Sequence, residues 1–496
     1  MTRRDDFLAR ATAVANVGLA VAGALAGCAF LYFLYHYGWV RDRQFSSAYY
    51  IVVYYVLPLA AALLLFASLR LPADRKINLF LLVATSTVAL YGSELFMESR
   101  PSSRFDVPIP VMTVLAESNN KEKDATAVKQ KWGVDVDRRS AGEFIAALRR
   151  RSIDAVPIIT PSNQLFIDQP DGSIKSAIAI DGHDFVPLAA VSNRPTVFCN
   201  EGGHWLYYES DAHGFNNANE VWQRNRMEIA AVGDSFVHGY CVPPEKNFVS
   251  LIQQERPATL NLGIAGDGPL LMLATLKEYL PQFAPRIVLW FYYEGNDLID
   301  LQRERKNALL MNYMKDGFTQ PQLARQADID RAILGQTPRL RALEETRRKN
   351  REENRVSSTL MTFTRLSILR ERLGLVGGTS VDETETADFH GRNMDAFRDI
   401  IVDAKMQTEN WGGTLEFVYL PEWARYTRYT SLGKSARDEV LKLVRGLGIP
   451  IIDIVPVFEA HGDPLSLFPF RGQGHYNEVG HRLVAQEVLR ALTYAN

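Results

Sequence analysis

The sequence predicts an α/β protein with a parallel sheet, preceded by helices that cross a membrane. Two observations support this prediction. In the C-terminal half, short and nearly continuous apolar runs alternate with helical stretches, a pattern typical of a parallel sheet covered on both faces. The first hundred residues contain long runs without a charged side chain. At 496 residues, the chain is also long enough for at least two structural units.

Three apolar runs near the N-terminus have the character of membrane spans. A membrane helix needs about 20 mainly apolar residues. Residues 11–40 and 44–69 contain no Asp, Glu, Lys or Arg, and a shorter run follows at 77–93. The alternative for the first run is a cleaved signal peptide, because arginines precede it. The predicted anchor, residues 1–100, holds spans at these approximate positions: 11–38, 47–69 and 77–97.

The flanking charges predict how the anchor is oriented. With three spans and the N-terminus inside, six Lys and Arg residues lie on the cytoplasmic side and four on the other. This small excess favours a multi-pass inner-membrane protein with everything after Arg100 on the outer side, which is the periplasm of a Gram-negative cell.

The overall composition argues against several classes of partner and cofactor. Lys and Arg number 55 against 57 Asp and Glu, so the chain lacks the charge excess of a nucleic-acid binder. Three cysteines are too few for a disulfide framework or a multi-cysteine zinc site. The nine histidines do not cluster at metal-ligand spacing. We therefore expect no nucleic acid, cofactor or metal.

Residues 101–227 are interpreted as a linker followed by an accessory α+β segment. The stretch 101–110 is rich in Pro and Ser, as linkers are. Ser140 and Glu143 have the spacing of a capping box, which predicts a helix start, and short strands such as 156–159 follow. This segment shows no chemistry of its own in the sequence.

Residues 228–496 form the predicted sheet domain. A charged insertion at about 300–391 has a helical period, and we interpret it either as a solvated helical excursion or as a lid or surface for an anionic polymer or headgroup. The predicted strands are 229–232, 260–264, 286–293, 414–420 and 449–455.

Four sequence blocks with polar residues stand out in this domain. Gly233-Asp234-Ser235 follows the first strand, a glycine-containing block at 263–268 the second, and Gly295-Asn296-Asp297 the third. The fourth, Gly474-His475, precedes the last helix. Functional loops of parallel sheets lie at the carboxyl ends of strands. In this order, the blocks resemble the SGNH (GDSL-like) hydrolase family over residues 228–496, without the insertion. The resemblance implies a three-layer, flavodoxin-like parallel sheet.

The resemblance also implies roles for particular residues. Ser235 is the nucleophile and His475 is its base, because a serine hydroxyl needs a neighbouring proton acceptor. The oxyanion hole comprises the backbone N–H groups of Ser235 and Gly266 and the side-chain amide of Asn296. Gly263 is an alternative to Gly266, and His481 an alternative to His475.

The chain departs from the family pattern at the third member of the triad. The family commonly has an aspartate two or three residues before the catalytic histidine, where this chain has Gln473 and Gly472. One interpretation is a Ser-His dyad with a backbone carbonyl on the second ring nitrogen. Another is that Asp463, twelve residues upstream, folds back to the histidine. Serine hydrolases on unrelated folds tolerate varied third members.

Cys199 and Cys241 are a candidate disulfide, since a periplasmic location permits one. Such a bond ties the accessory segment to the loop that follows Ser235. Two buried free thiols are the alternative.

Three functions fit these features. The first is a membrane-anchored esterase or O-acyltransferase acting on acyl groups, chiefly acetyl esters of a cell-surface polysaccharide, since similar family members include exopolysaccharide O-acetyltransferases and deacetylases. Its partners are then an acylated polysaccharide, the lipid bilayer and other polysaccharide-biosynthesis proteins. The second is a catalytically weakened carbohydrate-binding or assembly subunit of an export system, suggested by the missing acid. The third is a lipase or thioesterase.

Overall fold

The computed structural model divides the chain into two compact units. The first comprises Met1–Ser99 and Val356–Thr386, and the second Arg100–Arg355 and Ala387–Asn496. The predicted linker at 101–110 lies outside the described residues, so its conformation stays a prediction. The structure describes residues 3–35, 51–98, 112, 115, 121–372, 383–427 and 432–494.

The first unit is helical. By length and composition, Arg3–Phe33 and Ala73–Met97 are long and apolar enough to cross a membrane. Their apolar side chains are mostly exposed (Val88 is 73% exposed), unlike those of a core helix in a soluble protein. The apolar helix Val52–Ser68 is shorter, and residues 36–50 are not described, so a third span stays a prediction.

Part of the insertion belongs to this first unit. The helix Ser367–Arg372 packs on the helix Ala73–Glu98, where the buried carboxylate of Glu94 accepts the backbone N–H groups of Ile368 at 2.9 Å and Leu369 at 2.7 Å. These bonds satisfy two of the N–H groups that a helix start leaves without partners. The interpretation of the whole insertion as a solvated excursion is therefore wrong for this part.

The accessory segment contains short strands and helices. Strands β1 (Val156–Pro157), β6 (Pro195–Cys199) and β7 (Leu206–Glu209) form a sheet in the order β1-β6-β7. The predicted capping box is confirmed, with Glu143 N–H donating to Ser140 Oγ at 3.2 Å. Two hairpins and the helices complete the segment: β2 (Phe166–Asp168) with β3 (Ile174–Ser176), β4 (Ile178–Ile180) with β5 (His183–Phe185), Lys121–Trp132 and Ala141–Arg150.

A five-stranded parallel sheet forms the centre of the second unit. Its strand order is β9-β8-β10-β11-β12, with every pair parallel. In chain order this is 2-1-3-4-5, the order of flavodoxin-like sheets, in which ligands bind beyond the carboxyl ends of the strands. The strands are β8 (Ile229–Gly233), β9 (Thr259–Gly263), β10 (Ile287–Tyr293), β11 (Thr414–Leu420) and β12 (Ile451–Asp453).

The last strand is shorter than the sequence predicts. Pro450 has no N–H to donate and precedes the first paired residue. At the other end, Asp453 accepts the N–H of Val455 at 3.1 Å, at the start of the helix Val455–Glu459. Local hydrogen bonding therefore turns the apolar run into a helix before the run ends.

Helices cover both faces of the sheet, and the alternation of side chains along each strand divides the core in two. Trp290 and Phe417 belong to one hydrophobic cluster, whereas Leu289 and Val418 belong to the other. The first face packs on Pro269–Tyr279, Asp297–Glu304, Glu383–Asn410 and Leu432–Gly446. The second packs on Ser235–His238, Phe248–Glu255, Val455–Glu459 and Glu478–Tyr494. The insertion contains two further helices, Gln326–Gly335 and Thr337–Thr364. The first of them packs on the accessory segment.

Candidate active site

Ser235 lies in a turn that holds it rigidly at the end of β8. The carboxylate of Asp234 accepts the backbone N–H of Phe236 at 2.9 Å and so caps the short helix Ser235–His238. Gly239, with φ +85°, ends that helix in the left-handed conformation that glycine adopts readily. Ser235 is 8% exposed, so most of its side chain is covered by neighbouring residues.

The structure brings His475 to Ser235 although 240 residues separate them. The Nε2 atom of His475 lies 2.8 Å from Ser235 Oγ, which is hydrogen-bonding distance. Asp234 Oδ2 lies 3.4 Å from the same oxygen. The imidazole is therefore the closer proton acceptor for this hydroxyl.

A glutamate from the accessory segment occupies the other side of the imidazole. Both carboxylate oxygens of Glu201 lie 3.1 Å from His475 Nδ1, and one accepts the backbone N–H of His475 at 2.9 Å. Gly474 permits this approach, because a Cβ there would lie 2.6 Å from Glu201 Oε2. Glu201, His475 and Ser235 thus form one hydrogen-bonded chain.

At the second ring nitrogen of His475, the structure has Glu201 and not the groups considered from the sequence. The carboxylate of Asp463 pairs instead with Arg471, and both of these side chains are 49% exposed. The second ring nitrogen of His475 faces a carboxylate and not the backbone carbonyl that a dyad was expected to use. Glu201 was missed because it precedes the nucleophile in the chain, in a segment without visible chemistry. Its one signal was the nearby candidate disulfide at Cys199.

The carboxylates around His475 favour the protonated form of its imidazole and raise its pKa. Burial lowers the pKa of His475, but the charge and hydrogen bonds of Glu201, with the charge of Asp234, raise it above 6.5 overall. Burial likewise raises the pKa of Glu201, but His475 lowers it below 4.5 overall. An ionised Glu201 holds the ring proton on Nδ1, which leaves Nε2 free to accept the proton of Ser235.

The other two histidines near these blocks have structural positions. His481, the alternative base, is buried, and its Nδ1 atom accepts the N–H of Phe248 at 3.2 Å. This contact lies at the start of the helix Phe248–Glu255. The Nδ1 atom of buried His238 accepts the N–H of Ala265 at 3.2 Å, beside Gly266. Burial lowers the pKa of each to about 3, so both rings are neutral acceptors.

Gly266 lies in a loop that the accessory segment braces. Its φ is +88°, where a side chain is strained, and a Cβ would lie 2.4 Å from Asn163 Nδ2. Ser162 Oγ donates to the Gly266 carbonyl at 2.5 Å. Gly263 differs, because it pairs with Gly233 inside the sheet and its missing side chain accommodates the backbone of His238.

Asn296 follows β10 and starts the helix Asp297–Glu304, but its side chain does not cap that helix. Its Oδ1 atom is buried without a hydrogen-bond partner among the described residues. The loop is anchored at Glu294, whose carboxylate accepts from Arg425 Nε at 2.7 Å and from the Tyr419 hydroxyl at 2.5 Å.

Cys199 and Cys241 are joined as a disulfide, with their Cα atoms 5.1 Å apart. Cys28 is an exposed free thiol. Among the described residues, the one group of three potential metal ligands is Cys199, Glu201 and Cys241. Two of these are in the disulfide and cannot act as thiolate ligands.

No protein-family model and no curated protein matches the chain. Among solved structures, the chain is similar to a member of the lipolytic protein G-D-S-L family from Veillonella parvula DSM 2008, at 15% identity and a TM-score of 0.29, over 54% of this chain and 98% of that one. It is also similar to a two-domain esterase (CEX) active on acetylated mannans, at 12% identity and a TM-score of 0.29, over 56% and 51% of the chains. The chain therefore spans about half the length of that esterase. At this level of similarity neither protein assigns an activity, and the chemistry of the site rests on its own contacts.

Proposed function

We propose that this protein is a membrane-anchored serine esterase or O-acyltransferase of the SGNH kind. The single observation that carries the proposal is the hydrogen-bonded chain from Glu201 through His475 to Ser235. A nucleophile, a base and an acid that orients the base are the groups that acyl transfer requires.

The proposed reaction starts when Ser235 Oγ attacks the ester carbonyl and its proton moves to His475 Nε2. The resulting oxyanion accepts hydrogen bonds from the N–H groups of Ser235 and Gly266 and from the Asn296 amide. His475 then returns the proton to the departing alkoxide, which leaves as an alcohol, and the acyl group remains on Ser235. Glu201 stabilises the imidazolium while it is charged.

The second half of the reaction decides between hydrolysis and transfer. A water molecule or a sugar hydroxyl gives its proton to His475 Nε2 and attacks the acyl-serine. The bond between Ser235 Oγ and the acyl group then breaks, His475 returns the proton to Oγ, and the product is either a free acid or a new ester. In this proposal the two apolar helices hold the site at the outer face of a bacterial inner membrane, and the substrate is an O-acetylated cell-surface polysaccharide.

The contacts of the site count against one of the two alternative functions, and the identity of the released acyl group tests the other. A catalytically weakened carbohydrate-binding subunit was suggested by the missing acid before His475, but the carboxylate of Glu201, from another part of the chain, contacts the same imidazole. A lipase or thioesterase requires an apolar acyl pocket beside Ser235.

Release of acetate tests the substrate class. Purified full-length protein is expected to remove acetyl groups from an O-acetylated polysaccharide and from p-nitrophenyl acetate, and to act poorly on p-nitrophenyl palmitate. The reason is that the proposal requires a site for a short acyl group on a sugar. Acetate and p-nitrophenol release measure the three activities. Faster turnover of the palmitate ester than of either acetate substrate would favour a lipase instead.

Asn296→Ala is expected to lower kcat for p-nitrophenyl acetate by about 10²–10³-fold, because one preorganised donor to the oxyanion is lost. The effect should fall on kcat more than on KM, since the donor acts mainly in the transition state. Asn312→Ala, which removes an exposed hydrogen bond to Lys315, is the matched control and should leave kcat unchanged. Equal kinetics for Asn296→Ala and wild type would remove Asn296 from the proposed oxyanion hole.

A further inference from the structure

Cys199 and Glu201 lie on the same short stretch that leaves β6. The backbone N–H of Glu201 donates to Cys199 Sγ at 3.3 Å. Two residues of extended chain span at most about 7 Å. Fixing the sulfur of Cys199 therefore restricts where the Glu201 carboxylate can lie.

The other sulfur of the disulfide belongs to the turn of the nucleophile. Tyr240 N–H donates to the Ser235 carbonyl at 2.9 Å, and Cys241 follows directly with φ +70°. Cys241 Sγ lies 3.8 Å from His475 Nδ1, the nitrogen that Glu201 contacts. The disulfide therefore joins the stretch of the acid to the turn of the nucleophile, beside the base.

This covalent link connects two sheets that share no hydrogen-bonded strand pair. β6 pairs with β1 and β7, whereas β8 pairs with β9 and β10. The position of Glu201 relative to His475 thus depends on how the two sheets are held together. A misplacement of about 1 Å in an active site can cost about 10²-fold in rate, so the geometry that holds Glu201 against His475 matters for the proposed reaction.

We propose that the Cys199–Cys241 disulfide is a positioning element of the active site, which keeps Glu201 on His475 and makes activity depend on the oxidised state. This inference rests on the proposed function. Both cysteines act through Glu201 and do not contact the substrate. Reduction by a dithiol removes this restraint on Glu201. The dithiol supplies two electrons and two protons, so that the S–S bond becomes two thiols, and the dithiol is itself oxidised to a cyclic disulfide.

Noncovalent contacts keep the two sheets associated after reduction. The ring of His238 lies 6.1 Å from that of Phe198 and 5.0 Å from that of Tyr208. Asn217 Nδ2 donates to the carbonyl of Asn261 in β9 at 2.8 Å. Reduction is therefore expected to release the acid locally and to leave the fold in place.

The test compares full-length wild type, Glu201→Gln and the double variant Cys199→Ser/Cys241→Ser, each with and without dithiothreitol. EDTA is present throughout, so that the freed thiols and Glu201 cannot bind an adventitious metal. Reduction of wild type is expected to lower kcat/KM by about 10²-fold and to move the acid limb of its pH profile to lower pH. The double variant should show both changes without reductant. Cys28→Ser should behave as wild type.

Combining reduction with the Glu201→Gln substitution distinguishes a positioning role of the disulfide from a general structural role. If the disulfide acts through Glu201, reduction of Glu201→Gln produces no further loss. A reduced wild type with an unchanged pH profile, or an equal loss on reduction of Glu201→Gln, would overturn the inference.

A second readout does not need catalysis. Diethylpyrocarbonate modifies neutral imidazoles, and its rate at His475, measured against pH by peptide mass spectrometry, gives the pKa of that residue. Reduction must lower this pKa as Glu201→Gln does, and an unchanged pKa overturns the inference. Absence of any turnover that depends on Ser235 would instead count against the proposed function.

Discussion

Ser235→Ala is expected to lower kcat for p-nitrophenyl acetate by about 10⁶-fold, the loss seen when the nucleophile of a serine hydrolase is removed. The hydroxyl lies 2.8 Å from His475 Nε2, and no other hydroxyl is described in contact with that nitrogen. Steady-state kinetics and thermal unfolding of the same preparation measure the effect. The thermal midpoint should stay close to that of wild type, because a single oxygen atom is removed.

The matched control for this variant is Ser173→Ala, in an exposed hairpin turn where the hydroxyl donates to Asp171. It should retain wild-type kinetics. Polysaccharide binding should survive in Ser235→Ala, because the hydroxyl acts in the chemical step. Hydrolysis that persists at the wild-type rate in Ser235→Ala would show that another group performs the attack.

Glu201→Gln is expected to lower kcat by about 10²–10⁴-fold, because an amide can neither hold the imidazole in the required tautomer nor stabilise the imidazolium. The change is close to isosteric, so a loss of packing does not account for the effect. Asp463→Asn is the matched control. Its carboxylate pairs with half-exposed Arg471, and exposed ion pairs contribute little, so kinetics should be unchanged. A larger loss of kcat in Asp463→Asn than in Glu201→Gln would identify Asp463 as the acid.

The pH dependence of Glu201→Gln has a definite sign. The imidazole must be neutral to accept the proton of Ser235, so kcat/KM of wild type falls as the pH drops through the pKa of His475, which lies above 6.5. Removing the carboxylate lowers that pKa. The acid limb of Glu201→Gln therefore moves to lower pH while its plateau falls, and pH-rate profiles of both proteins measure the shift.

Much of the second unit could be predicted from the sequence because its signals are local. The predicted ends of β8 to β11 lie within one residue of the observed ends. For β11, both ends match. The capping box at Ser140 was recognisable because its two bonds join residues three positions apart. Ser235 and Asn296 could be proposed because their blocks lie just beyond the carboxyl ends of parallel strands and resemble the SGNH family motifs.

The features that the sequence did not reveal depend on distant contacts. Glu201 reaches His475 across 274 residues, and no local spacing relates the two. Glu94 is similar: its carboxylate, in a helix apolar enough to cross a membrane, accepts backbone N–H groups from the insertion 274 residues later. An acidic residue in such a helix indicates a specific partner, but the sequence does not identify which one. Long-range pairing therefore determined both the acid of the site and the position of part of the insertion.

Labelling with a fluorophosphonate probe tests the central claim most directly, since this reagent forms a stable bond with an activated serine. Peptide mass spectrometry of the full-length protein is expected to find one adduct, on Ser235, that is absent from Ser235→Ala and His475→Ala and forms more slowly in Glu201→Gln. A wild-type protein that remains unlabelled, or carries the adduct on another residue, would contradict the proposed site.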